Sequence, residues 1–246
     1  MDKEEVLINT QTALFFDGYL EKPEDYYADL NSILGNIFDN TPLVLPVPKD
    51  QRLNEVAVVS MTSSNGVYTC NIARTRIDVF IAGEGKEGFT ENKKKAIAEI
   101  SEKVYSHLQD KKVNIKRLGF ITRFFIANDS QEKVIEQLLN KEFITIHEKD
   151  TSENVSEFIE AYIKYVRKIK FLNMFINNYT TVEKFIANIS GVGEDIKGVL
   201  ITRDFNTNPE VNFDKGKDNN FTITSFINES TLRFSFDEIK KLLWPE

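Results

Sequence analysis

The sequence predicts an α+β protein: mostly antiparallel sheet, with helices packed on one face. Three observations carry this expectation. Short apolar runs with a period of two recur along the chain, and two of them, Glu55–Thr62 and Val67–Ala73, flank Ser63-Ser64-Asn65-Gly66, whose Asn-Gly pair suits the positive φ of a tight hairpin turn. A different period appears over Glu91–Gln109, where Ile97, Ile100, Val104 and Leu108 form one helical stripe. Apolar residues make up 41% of the chain, with 19 phenylalanines and 8 tyrosines, enough to fill a core rather than leave the chain disordered.

The elements follow in order. Val6–Phe16 reads as a strand ended by Asp17-Gly18. Beyond Pro23, apolar residues at Tyr26/Tyr27, Leu30, Ile33/Leu34 and Ile37/Phe38 give Glu24–Phe38 a helical spacing, with Glu24 and Asp25 suiting the first turn. Thr41–Asp50 holds three of the six prolines and reads as a semi-extended connector. After the hairpin, Arg76–Ala82 alternates Ile77, Val79 and Ile81 against Arg76, Asp78 and Phe80. The glycine-rich loop Gly83–Gly88 leads to the helix, then strand Val113–Ala127 and a short helix Gln131–Leu139.

The second half is less regular. Lys141–His147, Phe171–Tyr179, Gly198–Phe205 and Phe221–Ile227 read as strands, Val182–Ile189 as a short helix and Ser235–Leu243 as a terminal helix, with Trp244 packing onto the body. Val155–Ile169 fits both periods, and its β-branched and aromatic content does not settle the choice; strand is the expectation, with helix as the alternative. Ile121-Thr122-Arg123 recurs as Ile201-Thr202-Arg203, which either marks two similar α+β halves or is a coincidence of common residues. The halves divide as 1–140 and 141–246, with a boundary near the polar Asn140–Glu153 and no long flexible linker, so they are expected to pack as one compact unit.

Composition excludes several chemistries. One cysteine forms no internal disulfide, and one cysteine with two histidines cannot supply a four-ligand zinc site of that kind. No apolar run approaches the ~20 residues of a membrane span, and Met1-Asp2-Lys3-Glu4-Glu5 does not open a signal peptide. A cytoplasmic protein with no membrane association is the expectation. The net charge of −7 is spread evenly: residues 1–140 carry 17 basic and 21 acidic side chains, and residues 141–246 carry 14 and 17. No basic domain offers the electrostatic footprint of a duplex-DNA binder.

Gly83, Gly85 and Gly88 match a dinucleotide-binding spacing, but Glu84 and Glu87 would stand where a pyrophosphate lies, so a surface turn is the better reading and no cofactor is expected. His107 and His147 lack partners in sequence. Cys70, inside Val67–Ala73, reads as a small core side chain. Asp78, close to Arg74 and Arg76, reads as half of an ion pair at a sheet edge rather than a catalytic acid. A carboxylate-based active site is the least favoured reading.

Nucleic acid is the stronger functional contender among specific ligands. Lys164-Tyr165-Val166-Arg167-Lys168-Ile169-Lys170-Phe171 interleaves basic with aromatic and aliphatic side chains, as a phosphate-pairing, base-stacking surface requires. On a strand, Lys164, Val166, Lys168 and Lys170 face one way. The candidate contacts to single-stranded RNA or DNA are Lys164, Arg167, Lys168 and Lys170, joined by Arg123 and Arg203.

The hairpin, the strand bearing Arg76 and Asp78, the Phe89-led helix, and Arg117-x-Gly119-Phe120 with Arg123 resemble a sporadically distributed family of uncharacterised bacterial proteins over residues 54–127. In this chain Ile121-Thr122 precedes Arg123 where that family tends toward an aromatic residue and Asn. The resemblance implies an α+β fold and suits an accessory gene in defence, counter-defence or toxin control. With no catalytic signature, the expectation is a non-enzymatic interaction protein of bacterial or phage origin. It would bind a protein partner through a sheet edge or its acidic surface, with nucleic-acid binding as the alternative.

Overall fold

The computed structural model describes residues 5–49, 51–83, 90–127, 129–131, 134–135, 162–172, 174–188, 195–207 and 222–232. Among these residues, nine strands form one antiparallel sheet: β1 Glu5–Phe16, β2 Leu43–Val44, β3 Ala57–Thr62, β4 Tyr68–Ala73, β5 Arg76–Ala82, β6 Ile115–Ala127, β7 Tyr162–Phe171, β8 Met174–Asn188 and β9 Asp195–Thr207. Their order is β2-β3-β4-β5-β1-β6-β9-β8-β7. The first strand of the chain thus lies in the middle, between β5 and β6, and the join between the two sequence halves is the pairing of β6 with β9.

Three α-helices accompany the sheet: α1 Tyr27–Ile33, α2 Glu91–Asp110 and α3 Ile223–Leu232. They cover one face. Leu14, Ile77, Val79, Cys70, Ile72, Leu118, Phe120 and Phe205 meet Leu30, Ile97, Val104, Leu108, Phe226 and Ile227 in one buried cluster. Burial of this apolar surface is the main stabilising term, at roughly 25 cal/mol per Å². On the second, open face the interior-strand side chains are mostly half-exposed. None of the described helices is long and apolar enough to cross a membrane.

Local signals explain the element ends. Thr90 caps α2, its hydroxyl accepting from Lys93 N at 3.3 Å. The Asn65-Gly66 turn holds Gly66 at φ +72°. Glu24–Phe38 is less helical than its spacing predicts: a 3-10 turn at Pro23–Asp25 precedes α1, and the chain leaves the helix through Gly35 (φ +76°) and Asn36 (φ +58°). Asn31 then holds the exit in place through two hydrogen bonds with the backbone of Phe38.

Val182–Ile189 is not a helix; β8 continues to Asn188, paired with β9 from Ile176↔Thr207 to Asn188↔Asp195. The i, i+3, i+4 spacing of Val182, Phe185 and Ile186 suggests a buried stripe, yet Phe185 and Ile186 are exposed and only Val182 is buried. Long-range pairing has overridden a local pattern. The helix preceding the second Ile-Thr-Arg is therefore strand, so residues 180–206 do not share the helix-then-strand plan of 91–127.

Phe221–Ile227 is also not a strand, because α3 begins at Ile223. The reason is a cap: Thr222 Oγ1 accepts from Ser225 N at 2.9 Å, and Ser225 Oγ accepts from Thr222 N at 3.0 Å. Finally, Asp78 lies in the sheet interior, since β5 pairs with both β4 and β1. Over the described part of Val155–Ile169 the chain is strand, Tyr162–Ile169 of β7, while residues 155–161 lie outside the described residues; Leu172, at φ +50°, turns the chain from β7 into β8. Gln131, Val134 and Ile135 are helical. The expectations for Lys141–His147, Ser235–Leu243 and Trp244 lie outside the described residues.

Candidate functional site

Alternation along the strands sorts every polar side chain onto one face or the other. On β1 the polar run Asn9-Thr10-Gln11-Thr12 splits, with Thr10 and Thr12 turned to the helix side and Asn9 and Gln11 to the open face. There a network crosses three central strands. Gln11 Nε2 donates to Asp78 Oδ1 at 2.9 Å, and Gln11 Oε1 accepts from Arg123 Nη2 at 3.1 Å. Arg123 Nη1 donates to Asn9 Oδ1 at 2.9 Å. On the far side, Arg76 Nε lies 2.9 Å from Asp78 Oδ2, and its Nη1 lies 3.1 Å from Glu55. Gln11 is the pivot, because its amide can donate to a carboxylate while accepting from a guanidinium.

Burial sets the electrostatics of this network. It pushes the Asp78 carboxyl above the ordinary range, against the opposing pull of Arg76 and the Gln11 amide. Asp204 on β9 is raised for the same reason, with the Asn206 amide, Arg117 and Arg123 pulling the other way. Burial also lowers Arg123, while Asp204 and Asp78 favour its charge. An arginine so placed remains a cation at neutral pH. The Arg117 guanidinium stacks 3.7 Å above the Phe15 ring, which Arg76 also approaches at 5.6 Å.

The two raised carboxylates do not form an acid–base pair. Asp78 and Asp204 are three strands apart, about 14 Å at ~4.8 Å per strand, whereas paired glycosidase carboxylates stand roughly 5–9.5 Å apart. Among the described residues, no three His, Cys, Asp or Glu side chains gather closely enough to hold a metal ion. Cys70 is fully buried, and burial raises its thiol far from reactivity. His107, on α2, is lowered mainly by burial.

Gly83 has a structural task. A Cβ there would fall 1.6 Å from Leu7 O, where β1 bulges between Leu7 and Asn9, and Gly83 N donates to Ile8 O at 2.7 Å. The first glycine of the dinucleotide-like spacing is thus occupied in bringing two strands together. Gly85 and Gly88 lie outside the described residues.

The six expected nucleic-acid contacts do not share one surface. Lys164, Lys168 and Lys170 are exposed on the open-face side of β7, on the same side as Arg123. Arg167 and Arg203 project from the other side, and Arg203 is 5% exposed. Among the described residues the open face also carries Arg76 and Arg117, which the sequence did not offer as ligand contacts, against the carboxylates Asp78, Asp204, Glu183 and, at its margin, Glu55. Among these described side chains cations outnumber carboxylates, on a protein whose net charge is −7.

β7 is an end strand, pairing only with β8 among the described residues. Exposed large apolar side chains also gather near the sheet's ends: Leu43, Val44 and Leu45 at β2, and Val166, Leu172 and Phe175 at β7 and its turn. Lys168 Nζ lies 4.4 Å from the centre of the Phe175 ring. Sequence reasoning found the β7 lysines but missed Gln11, Asn9 and Asp204. Four consecutive polar residues inside an otherwise apolar strand, Asn9–Thr12, were the available signal. No protein-family model and no curated protein matches this chain.

Proposed function

We propose that this chain is a non-enzymatic interaction protein that binds an extended acidic segment of a protein partner along β7. The carrying observation is the strand itself: ten residues, paired on one side among the described residues, with Lys164, Lys168 and Lys170 on one face and exposed Val166 between them. An added strand is held by main-chain hydrogen bonds, and alternate side chains supply specificity. Lysines on an end strand repel a second copy of the same edge. The same charges favour a partner whose alternate residues are Asp or Glu. The resemblance over residues 54–127 fits such a role in an accessory or regulatory protein.

A second reading has its own observation. Lys164, Lys168 and Lys170 share the open face with Arg123 and Arg117, and Phe15, Phe80 and Tyr179 are half-exposed there, a composition suited to single-stranded nucleic acid.

One titration separates the two. A labelled peptide of alternating Glu and Val and a labelled oligouridine are titrated by fluorescence anisotropy at low and moderate salt. Hydrogen exchange is read over Tyr162–Phe171. The expected result is peptide binding that protects β7 amides and is lost on joint Lys164→Glu, Lys168→Glu and Lys170→Glu substitution. Oligouridine binding without peptide binding favours the second reading, and no binding to either probe at low salt overturns both.

A further inference from the structure

The two arginines that the open face leaves out flank one place on the helix side of the sheet. Arg167 on β7 stands directly across from Asn178 on β8, and Thr180, two residues along β8, stands directly across from Arg203 on β9. Thr122 on β6 continues the row beyond Arg203. Directly paired side chains have Cβ atoms roughly 4.5–5.5 Å apart, so these groups share one neighbourhood.

Asn178 is 0% exposed and Thr180 2% exposed. Among the described residues, neither the Asn178 Nδ2 nor its Oδ1 has a hydrogen-bond partner, nor has Thr180 Oγ1. Leaving such buried groups unsatisfied costs roughly 1–3 kcal/mol each, so something that hydrogen-bonds is expected to meet them. Position supplies the chemistry. An amide donor and a hydroxyl on the central strand, with a guanidinium on each side, form a set that receives oxygen atoms carrying negative charge. Arg167 is exposed while Asn178 beside it is buried, so the β7 side provides the approach.

We propose that Asn178 and Thr180, between Arg167 and Arg203, form a binding site for a compact oxyanion, the phosphate or carboxylate group of a small ligand. The site is independent of partner docking on the β7 lysines, which face the other way.

Thermal unfolding of the full chain tests it, with inorganic phosphate, acetate or chloride added at matched ionic strength. The expected result is a saturable rise of roughly 5 °C with phosphate, acetate or both, and none with chloride. Phosphate alone marks a phosphorylated ligand; a response to acetate marks a carboxylate. The rise disappears in Asn178→Asp, which places a fixed carboxylate in the site, and in Asn178→Leu, which removes the amide at similar volume. It persists when Lys164, Lys168 and Lys170 are all changed to Glu. No rise, an equal rise with chloride, a rise that both Asn178 variants retain, or one lost with the lysines overturns the proposal. Only water would then occupy the site, or the anion would lie on the lysine surface.

Discussion

Arg123 and Arg203 hold equivalent places in the two Ile-Thr-Arg triplets, yet they point to opposite faces of the sheet. The triplets pair antiparallel with each other, Thr122 across from Arg203 and Arg123 across from Thr202. Each arginine therefore shares its face with the other triplet's threonine. Arg123 joins the Gln11–Asp78 network, and Arg203 is buried on the helix side. A shared sequence motif here produces two different environments.

Arg123 is expected to matter through its fork. Its two terminal nitrogens reach Asn9 and Gln11 separately, and Gln11 is 7% exposed. Arg123→Ala leaves that buried acceptor without its donor and is expected to cost roughly 1–3 kcal/mol. Arg123→Lys should not restore the loss, because one ammonium does not reproduce the planar fork. Urea unfolding of Arg123→Ala, Gln11→Ala and the double variant should give a coupling of roughly 0.5–3 kcal/mol. Additive effects would show that the network does not act as a unit.

Asp204 gives a pH signature. Its folded carboxyl keeps a proton to higher pH than the ordinary 3.8, so between these values the folded chain binds more protons than the unfolded one. Stability from this group is then fully present below the ordinary value and declines as pH rises through the folded one. Asp204→Asn should match the parent at the acid end and become progressively more stable than it toward pH 7. Urea midpoints across that range provide the measurement. A variant less stable than the parent at pH 7 would show that the charge of Asp204, through Arg117 and Arg123, outweighs its burial.

The cap on α3 accounts for one failed expectation and is itself testable. Thr222→Ala removes the acceptor for Ser225 N and is expected to lower stability by roughly 0.5–2 kcal/mol, while Thr222→Ser should be nearly neutral. Hydrogen exchange at Ser225 and Phe226 should accelerate in the alanine variant alone.

Much of the fold was legible because its strands carry their own signals. Ile77, Val79 and Ile81 alternate, Asn65-Gly66 turns a hairpin, and Ile97 to Leu108 mark one face of α2. The failures lie where a local pattern and a distant partner disagree. Val182, Phe185 and Ile186 have helical spacing, but β9 pairs along the whole of β8 and decides the outcome. For the site, a sequence shows which residues alternate but not which strands become neighbours. Gln11 and Asp78 are 67 residues apart, and only the placement of β1 in the middle of the sheet brings them together. The β7 lysines were visible because they are local to one strand, whereas Asp204 needs Arg117 and Arg123 from another strand to be noticed.

Glycine substitutions should separate close packing from open space with effects of opposite sign. At Gly83 an added methyl would meet Leu7 O at 1.6 Å and Ile8 O at 3.2 Å, both of them backbone atoms held by the pairing of β1. Neither can swing aside as a side chain would, so Gly83→Ala must part the strands at the β1 bulge. A loss of at least about 2 kcal/mol is expected. At Gly119, on the open face between Ala13 and Asn206, the nearest atoms to an added Cβ lie 3.7–3.9 Å away, in ordinary contact. Gly119→Ala should therefore be neutral or stabilise by roughly 0.4–1 kcal/mol, chiefly by restricting the unfolded chain. Urea unfolding of the two variants side by side gives the comparison. A strongly destabilised Gly119→Ala would mean that something approaches the open face at this point more closely than the described residues do.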